Sequence, residues 1–318
     1  MRQRYGIAAI LATAALLLAG CGGGSAEPAP TPEEDTRTVT HALGTTEIPA
    51  SPQRIASASI TMTGPLLGLD APVIATATTA PNTSVADANG FFKAWAGVAA
   101  QRGVVPLGGP EVPIEAVAGQ RPDLIVGSAV GADAVTPEVY NRLSQIAPTI
   151  VFDHSGVGWT ELSATLGAAL GREEQAEAAE AEFTARVKEL DLDTSHPAVA
   201  LTVVPDGLNV FTPESAQGKL LISLGLTVPT VEASGTGGLS GSDKRRDVVS
   251  VAHERAGSLG DATLYIVNAE AADVERFRSS YPVLAALPAF TEGRVHPLGP
   301  ESFRLDRFAA LAVLDRLR

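Results

Sequence analysis

Residues 172–192 read REEQAEAAEAEFTARVKELDL, and the layout of the rest of the chain follows from them. The stretch has neither Gly nor Pro and is dense in Ala, Glu, Leu, Arg and Lys, the residues that cost least in a helix. Glu173 and Glu174 stand in the first turn, Arg186 and Lys188 near the last, the charge order a helix dipole favours. A helix of about twenty residues is roughly 30 Å long, the width of a small domain. Its apolar stripe (Ala176, Ala179, Phe183, Val187, Leu190) steps by three and four and is narrow, so one face is expected to pack and the rest to stay wet.

The segments on either side of it alternate strand and helix in similar order. Before it, short apolar strands at 53–59, 73–77, 123–127 and 149–152 are separated by helical stretches, among them 115–120 and 140–146. Thr63 is placed to cap a helix over 63–69. After it come strands at 199–204 and 208–211, a helix opening at Ser215, a strand position at Val228, and strands at 261–267 and 294–298. An amphipathic helix over 308–317 closes the chain. Such alternation predicts parallel βα units. The expected architecture is α/β: an N-terminal lobe over 37–171, a connecting helix over 172–192 and a C-terminal lobe over 193–318. The cleft between the lobes is the default ligand site, and a helical hinge predicts a small opening.

The amino terminus has its own logic. Arg2 and Arg4 precede an apolar run over 7–19, too short for a permanent membrane span. The run ends in Leu18-Ala19-Gly20-Cys21, a charged start, apolar core and small-residue site that together describe an export signal over 1–20. A Cys directly after the small residues resembles a bacterial lipobox, which implies lipid attachment at Cys21, the one cysteine in the chain. Residues 21–36, of Gly, Pro, Ala and acid, are expected to form a flexible tether. The expected location is the outer face of the cytoplasmic membrane, held there by the lipid.

A net charge of −13, with no basic stretch long enough to answer a phosphate backbone, argues against nucleic acid. A small anion stays possible if arginines gather locally. His41, His154, His196, His253 and His296 share no ligand spacing, so no protein-built metal site is expected. No Gly-x-Ser-x-Gly elbow or Walker loop occurs, and GTGGLSG at 235–241 lacks the apolar helix a dinucleotide loop requires. Nothing here supports an enzyme.

More specific are Ser59-Ile60-Thr61-Met62-Thr63-Gly64 with 70–75, Phe211-Thr212-Pro213-Glu214-Ser215-Ala216-Gln217-Gly218, Lys244-Arg245-Arg246-Asp247, and Phe303-Arg304-Leu305-Asp306 with 313–317. From about Gln53 to the C-terminus these segments resemble the single-helix-hinge siderophore and cobalamin binding proteins of ABC importers, and within them the ferric-enterobactin binders. The resemblance implies the class III, or cluster A, periplasmic binding protein fold, a ferric siderophore between the lobes, no cofactor, and delivery by a monomer to an ABC permease and its ATPase. Haem or another bulky iron chelate is the alternative cargo, and an envelope role in sensing the alternative function.

Ferric tris-catecholate is a trianion with flat aromatic edges, so a receptor needs guanidinium groups and aromatic faces. By resemblance Arg304 and Arg245 bind the anion, with Arg246 beside them, and Phe211 stands where the family stacks a tryptophan. Arg304 could instead pair with Asp306 or Asp315, and Arg246 with Asp247. Ser84 occupies a place where the enterobactin binders have an arginine, which leaves one cation fewer. Thr61 and Trp95 complete the candidate ligand set, with Phe91 and Phe92 near Trp95. Glu115 and Glu254, each about eight residues ahead of its lobe's Asp-led strand, match the glutamates that meet arginines on the permease; a solvated helix-start glutamate is the alternative for both.

Overall fold

The computed structural model describes residues 35–109, 111, 114–234 and 247–318. The signal segment, Cys21 and nearly all of the tether lie outside the described residues, as do Arg245, Arg246 and the 235–241 loop. The first element is a hairpin of β1 (Thr36–His41) and β2 (Gly44–Pro49), paired antiparallel. Five strands follow: β3 (Ile55–Ser57), β4 (Val73–Thr76), β5 (Val105–Pro106), β6 (Leu124–Ser128) and β7 (Thr149–Phe152). They form one parallel sheet in the order β5-β4-β3-β6-β7. Helices α1 (Ile60–Gly68), α2 (Lys93–Gln101), α3 (Ile114–Gln120) and α4 (Pro137–Leu143) connect them, and α5 (Trp159–Leu170) leads out.

Alternation along the strands places this core. Ile55, Leu124 and Val126 point into one apolar cluster, while Ala56 and Ile125 point into another on the opposite face. A parallel sheet covered on both faces needs apolar residues at every strand position, which is what β3 and β6 supply.

The second sheet is built from β8 (Ala198–Val204), β9 (Gly207–Phe211), β10 (Val248–Val251), β11 (Thr263–Ile266) and β12 (Val295–Pro297), in the order β10-β9-β8-β11-β12. Here the expectation of parallel units fails for half of the sheet. Val204 pairs with Gly207 across Pro205 and Asp206, so β8 and β9 form a hairpin, and β10 joins β9 antiparallel as well. Only β8, β11 and β12 run parallel. Val228 lies in no strand. The remaining helices are α7 (Ala216–Ser223), α8 (Ala271–Ser280), α9 (Pro282–Ala285), α10 (Pro288–Thr291) and α11 (Arg307–Arg316), with 3-10 turns at His253–Leu259 and Pro300–Phe303.

Between the sheets runs α6 (Glu173–Val187), shorter than the 172–192 stretch suggests. Beyond its end Leu190 and Leu192 still pack against the second lobe's core. The narrow stripe divides between the lobes: Ala176 enters the N-lobe cluster, Ala179 and Phe183 the C-lobe cluster. The last helix, α11, does the same, with Phe308 against the first core and Ala310, Val313 and Leu314 in the second. Arg307 ties three helices together, donating from Nε to Glu182 on α6 at 3.1 Å and from Nη1 to the Gly68 carbonyl of α1 at 3.3 Å. Among the described residues no helix is long and apolar enough to cross a membrane.

Thr63 does not cap α1. Ser59 holds the N-cap position, yet its hydroxyl donates to the Asp133 carbonyl instead. The free amide of Thr61 is met from outside the helix by Asp133 Oδ2 at 3.0 Å. Thr63 is buried inside the helix and donates to Ser57 Oγ at 3.0 Å.

Candidate functional site: a cleft between the two sheets

A cavity of about 740 Å³ opens between the strand ends of the two lobes. Thr61, Val130 and His154 stand on its N-lobe wall, Phe211, Phe303 and Arg304 on its C-lobe wall.

Local chemistry explains how the C-lobe wall is made. After β9 the chain turns through Thr212-Pro213-Glu214, and Ser215 caps α7 by accepting from the Gly218 amide at 2.8 Å. Gly218 carries no Cβ because one would overlap the Thr212 carbonyl. Gln217, nearly buried, donates from Nε2 to the carbonyls of Ser302 at 3.1 Å and Phe303 at 2.9 Å. The 211–218 motif therefore braces the segment that presents Arg304. Past it, Asp306 caps α11, accepting from the Ala309 amide at 2.9 Å. Gly64 of α1 leaves the space that the Asp306 carboxyl fills. Two separated motifs, Thr63-Gly64 and Leu305-Asp306, thus meet as one packed contact.

Arg304 pairs with neither Asp306 nor Asp315. Asp306 is spent on the α11 amides, and Asp315 pairs with Arg186 at 2.9 Å. Among the described residues the Arg304 guanidinium makes no ion pair or hydrogen bond; it lies 5.7 Å from the centre of the Phe303 ring. That ring meets Phe211 edge-on, with centroids 6.2 Å apart. Phe211 is 4% exposed, so an aromatic rim rather than a broad free face borders the cavity there.

On the N-lobe side Thr61 lines the cavity, and its Oγ1 is buried without a partner. Trp95 is corrected to a core residue: it is 1% exposed and packed against Phe91 and Phe92, because α2 turns that face toward α1. Of that trio, Phe92 alone reaches the cavity. Ser84 is exposed, accepts from Lys93 Nζ through its carbonyl at 3.0 Å, and does not border the cavity. The tryptophan that does is Trp159 at the head of α5, packed edge-on against Phe183 of α6 at 5.2 Å. His154 also belongs to this wall, with Asp133 buried behind it on the Thr61 amide. Nothing in their sequence spacing marks them, since only the β6 and β7 crossovers bring them together.

Glu115 and Glu254 do not line the cavity. Each is exposed in the first turn of a short helix, Glu115 on α3 and Glu254 on the 253–259 turn, and Arg142 is 3.8 Å from Glu115.

Burial pushes the Asp306 carboxyl up to about 6, against the pull of two backbone amides. The folded chain thus holds this proton more tightly than the unfolded chain does. Stability accordingly falls as pH rises from 3.8 to about 6 and stays at the lower level above that. Asp306→Asn keeps a capping oxygen and drops the charge, so it is expected to remove a pH-dependent loss on the order of 1–3 kcal/mol. Urea midpoints of the two proteins across that window should converge at the acid end and separate above it.

Comparison with known proteins extends the geometry. The chain is 38% identical over 288 residues to the ferric enterobactin-binding periplasmic protein FepB of Escherichia coli O6:H1, covering 89% of this chain and 90% of that one. It is 26% identical over 243 residues to the probable siderophore-binding lipoprotein YfiY of Bacillus subtilis, covering 72% and 69%. The crystal structure of holo-ViuP superposes with a TM-score of 0.76 at 33% identity, over 88% of this chain and 93% of that one. A family model described as periplasmic binding protein matches residues 55–301. With both five-stranded sheets and the helix between them inside the matched span, the chain belongs to the periplasmic binding protein family.

Proposed function

We propose that this chain is the substrate-binding protein of an ABC importer, capturing a ferric siderophore of the catecholate type in the cleft and delivering it to a membrane permease. One observation carries the reading: a guanidinium with no protein partner among the described residues stands over aromatic rings in a large interlobe cavity, on a protein whose net charge is −13. A trianionic chelate with flat aromatic edges needs both elements. Among its relatives, FepB is a ferric enterobactin-binding protein and YfiY a probable siderophore-binding lipoprotein. Iron arrives and leaves inside its chelate as cargo, and the work of the protein is capture and hand-over, with no bond made or broken.

Arg245 and Arg246 belong to the proposed site as further cations on the second lobe, and Thr61 as a polar contact from the first. Glu115 and Glu254 are proposed as the charges, one on each lobe, that steer the loaded protein onto the permease. The lipid anchor at Cys21 is proposed on the lipobox alone; Cys21→Ser is expected to move the protein from the membrane fraction to the soluble one.

The direct test is a titration panel read by tryptophan fluorescence, for which Trp159 in the cavity wall is the natural reporter. Ferric tris-catecholates are expected to quench it, whereas ferric hydroxamates and haem are not. Equal quenching by haem, or none by any catecholate, would reject the assignment of cargo.

A further inference from the structure

His154, two residues beyond β7, lines the N-lobe side of the cavity. Its Nε2 is shielded from solvent and has no hydrogen-bond partner. An imidazole nitrogen left so at a ligand site is costly unless something arrives to meet it. Asp133, 7% exposed, lies close enough to act on the ring; its Oδ2 is fixed by the Thr61 amide, and its Oδ1 is buried and unpartnered. Asp153 acts on the ring from the adjoining position in the chain, and Arg304 acts from the opposite lobe. The other charged groups facing the cavity are Glu214 and Asp247 on the C-lobe wall and Asp306 beneath Arg304.

These groups oppose one another in a definite way. Burial first, then the Arg304 charge, holds the imidazole below its ordinary value, while Asp133 and Asp153 push it upward. In the open cleft the ring is therefore neutral at physiological pH. An anion seated against Arg304 cancels the repulsion from that side and leaves the two carboxylates in place. The trianion's own charge beside the ring, added to theirs, then favours the imidazolium against the burial that holds it neutral when the cleft is empty. Among the residues that line the cavity, the N-lobe wall has no arginine of its own.

We propose that His154 is the ligand-binding cation of the N lobe: as a trianionic ferric chelate seats against Arg304, the ring takes up one proton from solvent, and Nε2–H donates to an anionic oxygen of the chelate. This rests on the reading that the cleft binds a ferric catecholate. It makes the charge of the site conditional on cargo. An empty cleft carries one positive group fewer than a full one, so Arg304 and His154 do not repel each other before the ligand arrives.

The test is calorimetric titration of ferric tris-catecholate into the full chain, near neutral pH, in two buffers of different ionisation heat. The wild-type protein is expected to take up close to one proton per ligand bound. His154→Gln should lose that uptake and bind about ten-fold more weakly, the loss of one charge-assisted hydrogen bond. His154→Lys, a standing cation, should recover affinity without proton uptake, which a merely structural role for His154 would not produce. Unchanged uptake and an affinity within two-fold in His154→Gln would overturn the inference while leaving the function standing. No catecholate binding by the wild-type protein would overturn both.

Discussion

Arg304→Ala is expected to weaken binding of a ferric tris-catecholate by roughly 10- to 150-fold, the range for losing hydrogen bonds to a charged group, about 1.5–3 kcal/mol. The fold should hardly notice. Among the described residues Arg304 has no ion pair to lose, and the Phe303 ring beside it stays packed on Phe211. Thermal midpoints of the empty proteins should therefore coincide while affinities part. Arg304→Lys discriminates further. It keeps the charge but not the planar fork that pairs with two oxygens at once, so it should recover only part of the affinity. If Arg304→Ala bound within a factor of two of wild type, the guanidinium would not be the anchor and the cleft would need another explanation.

Phe183→Ala is expected to cost about 3–5 kcal/mol, the range for removing a buried aromatic ring. Phe183 is 3% exposed and meets Trp159 edge-on at 5.2 Å. It is the one large side chain that α6 buries; the helix otherwise offers Ala176 and Ala179. Losing it would leave the connector held to the second lobe by Ala179, the half-buried Val187 and the Arg307–Glu182 and Arg186–Asp315 pairs. Urea unfolding would measure the loss, with Glu180→Ala as an exposed control on the same helix, expected within about 0.5 kcal/mol of wild type. Because Trp159 also borders the cavity, Phe183→Ala should weaken cargo binding too, unlike a core change remote from the cleft.

Much of the fold is legible in the sequence because its signals are local. The helix-forming run at 172–192, the apolar strands at 124–128 and 149–152, and Ser215 ahead of α7 each declare themselves within a few residues. The hairpin of β1 and β2 escapes notice because its Thr-rich strands bury only Val39 and Ile48 and lack an apolar run. The antiparallel half of the second sheet was signalled by Pro205-Asp206-Gly207, a turn too short for any crossover, yet α/β alternation overrode it. Thr63 misled because a hydroxyl near a helix start is a good cap only when no better acceptor exists, and Asp133 comes from over 70 positions away to supply one.

The site divides the same way. Arg304 and Phe211 sit in motifs whose every residue has a task, so the motif finds them. His154 belongs to no motif; its standing comes from Arg304 across the cleft and Asp133 on the neighbouring crossover, and neither relation exists in one dimension. Trp95 shows the converse, since a tryptophan beside Phe91 and Phe92 reads as an aromatic wall until the helix turns it inward.

The return of α11 to the first lobe bears on how the molecule matures. Leaving the synthetic machinery N-terminus first, the chain completes the β3–β7 sheet long before residues 307–316 appear. Until then the ledge of α1 and α2 that Phe308 covers stays bare, and Gly68 waits for Arg307. The first half can collapse early but cannot seal itself. The last dozen residues act as its lid, so a premature stop near the end would expose apolar surface in the half of the protein already made.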